Sequence, residues 1–124
     1  MVKDPIPTRP TGGPQGMQPL FGDFHDDEDM RPIVMMFLAE IPARIENLDR
    51  QRAASDRATF RRIVHQIKGA GGGYGFPSIS EAASRLERCL DAAGPNWAQE
   101  CHAHLDVLVT LLRRAHAGLA HMPE

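Results

Sequence analysis

The stretch Phe60-Arg61-Arg62-Ile63-Val64-His65-Gln66-Ile67-Lys68-Gly69-Ala70-Gly71-Gly72-Gly73-Tyr74-Gly75 carries an apolar stripe and a polar face at the same time. Phe60, Ile63, Ile67, Ala70 and Tyr74 recur every three or four residues, the spacing that stacks side chains along one side of an α-helix. His65 stands two residues from Ile63 and two from Ile67. At about 100° per residue that is about 200° from each, so the imidazole faces solvent. Arg61, Arg62, Lys68, Gly69 and Gly72 share its outer face. Ser55 or Asp56 supplies an N-cap, and the helix stops by Pro77.

The same periodicity extends in both directions. Val34, Phe37, Ile41, Ile45 and Leu48 form a stripe that predicts a helix from about Asp29 to Arg52. The acidic run Asp23, Asp26, Asp27, Glu28, Asp29 suits its positive end. Pro32 fits the first turn; Pro42 removes the hydrogen bond to Leu38 and is expected to kink the helix without ending it. Downstream, Ser78 and Glu81 have capping-box spacing before the stripe Ile79, Ala82, Leu86, Leu90, Ala93, which Gly94-Pro95 terminates. Asn96 and Gln99 open a last helix in the same way, with Trp97, Cys101, Leu105, Leu108, Leu112, Ala115 and Leu119 on its stripe. Four helices joined by short connections, with no strand, predict an all-α, antiparallel up-down-up-down four-helix bundle over residues 23–120. Residues 1–22, with Pro5, Pro7, Pro10, Pro14 and Pro19, are expected to be a flexible Pro/Gly-rich leader from which only Leu20, Phe21 and Phe24 could dock.

At 124 residues the chain suits one domain with one core. Fourteen Lys and Arg against sixteen Asp and Glu give a net charge of −2, which argues against nucleic acid or an anionic membrane as partner. No apolar run approaches the roughly 20 residues needed to span a bilayer, and no secretory pattern opens the chain, so a cytoplasmic setting is expected. There Cys89 and Cys101 are expected to stay reduced as small buried residues. Together with His102 and His104 they match no paired-ligand zinc spacing, so no metal site is assigned.

The chemistry therefore concentrates on the outer face of the second helix. A lone exposed histidine is ordinarily just polar surface. Here it lies one turn before a lysine, and glycines follow it, each costing roughly 1 kcal/mol in a helix interior relative to alanine. A neutral imidazole is a competent nucleophile toward a phosphoryl group, and Lys68 can balance the product's charge. Bare positions at Gly69 and Gly72 would let another protein approach. A nucleotide-binding loop does not fit, because Lys68 precedes Gly69 and no register gives G-x-G-x-x-G after a strand. No Ser-His-Asp or Cys-His grouping can be argued from spacing.

Residues His65 to Gly75 resemble the H-x-x-K-G-[small]-[small]-x-x-x-G signature of histidine-containing phosphotransfer (HPt) domains. Phe37 to Pro42 looks like the first long helix of that family, and Glu81-Ala82-Ala83 through Leu86-Glu87 like the helix after the motif. The resemblance implies a phosphocarrier, not an ATP-dependent kinase, with His65 as phosphoacceptor and Lys68 holding the phosphoryl group. It marks Gly69 and Gly75 as close-packed or close-approach positions. It implies receiver domains and a hybrid histidine kinase as partners, no cofactor of its own, and Mg²⁺ brought by the receiver. Gly69, Gly72, Arg61 and Arg62 are the expected docking residues, and a monomer is expected. Gly71, Gly72 and Gly73 exceed the signature and leave the end of the second helix open. The alternative is a helical protein-interaction module in which His65 is never phosphorylated.

Overall fold

The computed structural model describes residues 17–122, and among these every regular element is a helix. The order is α1 (Arg31–Ala53), α2 (Arg57–Gly73), α3 (Pro77–Ala92), the single turn α4 (Trp97–Glu100), α5 (His102–Ala117) and a 3-10 turn, Gly118–His121. The four long helices close a ring: α1 touches α2 and α5, and α3 touches the same two. Most of the Pro/Gly-rich stretch, residues 1–16, lies outside the described residues.

Each expected stripe faces the centre. Val34, Phe37, Ile41, Ile45 and Leu48 of α1 are buried, joined by Leu38. Phe60, Ile63 and Ile67 of α2 share one buried cluster with Ile79, Ala82, Ala83, Leu86 and Leu90 of α3 and Leu105, Leu108, Leu112 and Ala115 of α5. Each large side chain so buried contributes about 1.5–3 kcal/mol. The helix passes unbroken through Pro42, because the stripe on both sides is anchored in this core.

Two helix starts differ from the sequence expectation, and a third lacks its expected cap. α1 begins at Arg31 instead of Asp29, because the Asp27 carboxylate folds back to accept from the amides of Asp29 and Met30, at 2.9 and 3.2 Å, before the first turn. α3 begins two residues early, with Pro77 inside its first turn and buried Phe76 at the cap, so Ser78 already lies within the helix and no Ser78–Glu81 capping box forms. Packing of Phe76 against Phe37, centroids 5.9 Å apart, fixes that start. Asn96 does occupy the cap position of α4, yet its side chain makes no cap.

The expected last helix is interrupted at Cys101, which joins α4 to α5. The break lets Trp97 pack on Phe60 with centroids 5.1 Å apart while Leu105 stays on the inner face of α5. The start of α2 follows one of the two expected options: Asp56 is the cap, accepting from the Thr59 amide at 3.1 Å, while Ser55 takes a positive φ of 57°.

Between Gln18 and Phe24 the chain is tied to the bundle. Leu20 donates to the Arg114 carbonyl at 2.9 Å, the Arg114 Nε donates to the Gln18 carbonyl at 3.1 Å, and Asp23 donates to the Gly75 carbonyl at 2.8 Å. Leu20 and Phe24 pack on the core; Phe21 stays 47% exposed, its ring 4.5 Å from that of His25.

Candidate functional site

The glycine run is helical through Gly73, so α2 carries His65 well inside a continuous helix. Of the two tight glycines of the run, Gly75 was expected and Gly71 was not. Gly71 is buried, and a Cβ there would lie 2.9 Å from Cγ2 of Ile79 and 3.1 Å from the Ser80 backbone nitrogen. The end of α2 thus packs close against the start of α3. Gly75 ends the run with φ of +87°, in the region where a side chain is strained, and with Phe24 against it. Gly69, expected to be close-packed or approached, has nothing within 4 Å of a hypothetical Cβ, and Gly72 has only the Ser80 side chain beyond 3.5 Å.

Close packing at Gly71 draws α3 against the outer face of α2 and brings in a residue to which the sequence reading gave no role. Glu87 is 7% exposed. Its Oε2 lies 2.7 Å from Nδ1 of His65 and 3.5 Å from an Arg61 nitrogen, while its Oε1 accepts from Nζ of Lys68 at 3.4 Å. Arg61 in turn makes a forked pair to Asp91, at 2.7 and 3.1 Å. Arg61 with Asp91, His65 with Glu87 and Gly71 with Ser80 descend along α3 as they ascend along α2. These two helices therefore run antiparallel.

The electrostatics follow from this packing. Burial by itself would raise the Glu87 carboxyl, but the hydrogen bonds from His65 and Lys68 and the nearby Arg61 charge outweigh it and hold the group below its ordinary range. The Arg61 fork likewise lowers Asp91. Because the folded Glu87 binds its proton less readily than the unfolded one, its stabilisation is present above the ordinary glutamate value of about 4.3 and is lost as pH falls through and below it. Thermal melts of wild type and Glu87→Gln between pH 6 and about pH 3 are expected to converge on acidification. A constant gap would show that Glu87 is not a buried ionised acceptor.

An ionised acceptor at Nδ1 requires the proton on that nitrogen, leaving the neutral ring's lone pair on Nε2. The His65 side chain is 65% exposed, and Nε2 has no hydrogen-bond partner among the described residues. The sequence face is thus not simply basic: two acids of α3 interleave with its cations. Arg62 remains exposed and Arg61 is half-buried in its ion pairs.

A family model described as Hpt domain matches residues 32–118, the span of the four long helices. The chain belongs to the Hpt domain family. No match is found among curated proteins or among solved structures. Hpt domains are helical phosphocarriers of two-component signalling that interact with receiver domains and kinases. This Hpt domain carries its exposed histidine within the matched span, with the carboxylate of Glu87 behind it.

The metal grouping of Cys89, Cys101, His102 and His104 does not assemble. No set of three His, Cys, Asp or Glu side chains suited to a metal ion converges among the described residues, and His102 instead lies 3.3 Å from Asp106. Among these residues no helix is long and apolar enough to cross a membrane.

The signal that could have found Glu87 was present in the sequence. It lies four residues after Ala83 and three before Leu90, on the edge of the apolar stripe of α3, where an acid needs a partner.

Proposed function

We propose that this Hpt domain accepts a phosphoryl group on Nε2 of His65 from the phosphoaspartate of one receiver domain and hands it to the aspartate of another. The observation that carries the proposal is an exposed imidazole whose inner nitrogen is tied to a buried, ionised Glu87. In the accepting step the Nε2 lone pair forms the N–P bond as the bond from phosphorus to the aspartyl oxygen breaks, leaving a free carboxylate on the donor. Positive charge that develops on the ring is delocalised to Nδ1, where Glu87 stabilises it. The reverse sequence delivers the group onward.

Lys68 is assigned to the phosphoryl oxygens, with Glu87 holding its ammonium near the face until the group arrives. Arg61 is reassigned from docking to support: its fork to Asp91 and its contact with Glu87 fix the carboxylate. Gly69, Gly72 and Arg62 are left as the docking face, bare enough for the receiver to bring its phosphoaspartate and its Mg²⁺ close. A hybrid histidine kinase is the proposed origin of the phosphoryl group. Connections of three residues between α1, α2 and α3 favour an up-down-up-down course for the four long helices, acting as a cytoplasmic monomer.

The test is to charge a panel of receiver domains with labelled phosphate and mix each with wild-type, His65→Ala and Lys68→Ala protein. Rapid transfer to wild type and none to His65→Ala is expected. Lys68→Ala is expected to receive label roughly 10–100-fold more slowly, in keeping with the loss of one electrostatic contact. An unchanged Lys68→Ala rate removes that residue from the site. Label reaching no variant across a complete panel would favour a protein-interaction module.

A further inference from the structure

We propose that Cys89 and Cys101 form a redox modification site that closes reversibly to an intramolecular disulfide. Both are free thiols, one in the last turn of α3 and the other at the break between α4 and α5. Their sulfurs are in direct contact at 2.7 Å, so bonding needs a small side-chain adjustment and no backbone rearrangement. Two cysteines serving only as apolar filler would have no reason to meet sulfur to sulfur across a helix break. The site stands apart from the phosphotransfer face: α3 turns Glu87 toward α2 and Cys89 toward the α4–α5 corner.

The two thiols are chemically unequal. Cys89 is half-buried and reachable from solvent, whereas Cys101 is buried. Burial, with the hydrogen bond to Cys89 adding to it, pushes the Cys101 thiol up to about 12. Cys89 is therefore the residue oxidised first, and Cys101 resolves it. With a peroxide as oxidant, the Cys89 sulfur attacks one peroxide oxygen, the O–O bond breaks, and sulfenic acid and one water form. The Cys101 sulfur then attacks the sulfenic sulfur; its proton and the hydroxyl leave as a second water. Two thiols and one peroxide thus give one disulfide and two waters, and a dithiol reductant reverses the change.

Closure links the end of α3 to the corner that holds Trp97, so it restrains the unfolded chain over a short loop. The experiment treats the reduced full chain, under native conditions, with one equivalent of hydrogen peroxide and reads intact mass, peptide map and melting. The expected result is a monomer lighter by two hydrogens, with Cys89 and Cys101 peptides joined, a melting temperature raised by about 10 °C, and full reversal by dithiothreitol. Cys101→Ser should instead accumulate sulfenic acid or adducts at Cys89. A stable oxyacid on wild-type Cys89, a disulfide joining two chains, or an internal bridge seen only after denaturation would overturn the proposal. Because none of these readouts involves His65, the result stands independently of the phosphocarrier assignment.

Discussion

Replacing His65 with alanine is expected to abolish phosphoryl acceptance and to cost the fold only about 1 kcal/mol. Among the described residues no other imidazole is backed by a buried carboxylate: His25 lies 4.0 Å from the exposed Asp26 and His102 lies 3.3 Å from the exposed Asp106. The stability cost is small for two reasons. The ring is 65% exposed, so little apolar area is lost. Glu87 keeps Lys68 and Arg61 as partners, so its buried charge is not orphaned. Exposure considered without these contacts would predict almost no cost at all. Labelled transfer from a charged receiver and a thermal melt check both halves. A loss above about 3 kcal/mol would mean that Glu87 depends on His65 for its burial, and residual labelling would place the acceptor elsewhere.

The same substitution at two glycines that stand two residues apart, on opposite faces of α2, is expected to have opposite effects. Gly71→Leu should destabilise the domain by about 3 kcal/mol, lowering its melting temperature by roughly 12 °C, because the new side chain meets fully buried Ile79 and the Ser80 backbone, neither of which can retreat. It should also disturb the site indirectly, since the α2–α3 spacing that Gly71 permits is what delivers Glu87 to His65. Gly69→Leu meets nothing and replaces a poor helix former, so it should leave the melt unchanged or raise it by up to about 1 kcal/mol. Its effect should appear instead in receiver transfer, which slows as the bulky group occupies the docking face, while labelling by a small phosphoramidate donor is spared. Equal melting temperatures for the two variants would show that the helices can part at Gly71. Equal inhibition with the small donor would show that Gly69→Leu damages the histidine itself.

The helices and the core were legible because the stripes Val34 to Leu48, Phe60 to Ile67, Ile79 to Leu90 and Leu105 to Ala115 each have unbroken helical spacing, and burial of those stripes outweighs local exceptions such as Pro42. The starts were less legible. Ser78 has a capping-box sequence, yet the aromatic contact between Phe76 and Phe37 starts α3 earlier and the local signal goes unused. The interruption at Cys101 was not legible either, because Trp97, Cys101 and Leu105 keep helical spacing straight through it.

For the site, sequence determined that His65 faces outward and that Lys68 stands one turn beyond it, because both facts are angles on a single helix. It could not determine what stands behind the imidazole. Glu87 and Asp91 are placed by the register of α3 against α2, which Gly71 sets by letting the two backbones approach. Which nitrogen of His65 is left free, and why Arg61 braces the carboxylate while Arg62 stays exposed, are decided by contacts between residues about 20 to 30 positions apart in the chain. Helical periodicity carries no information across that distance; only the packed pair of helices does.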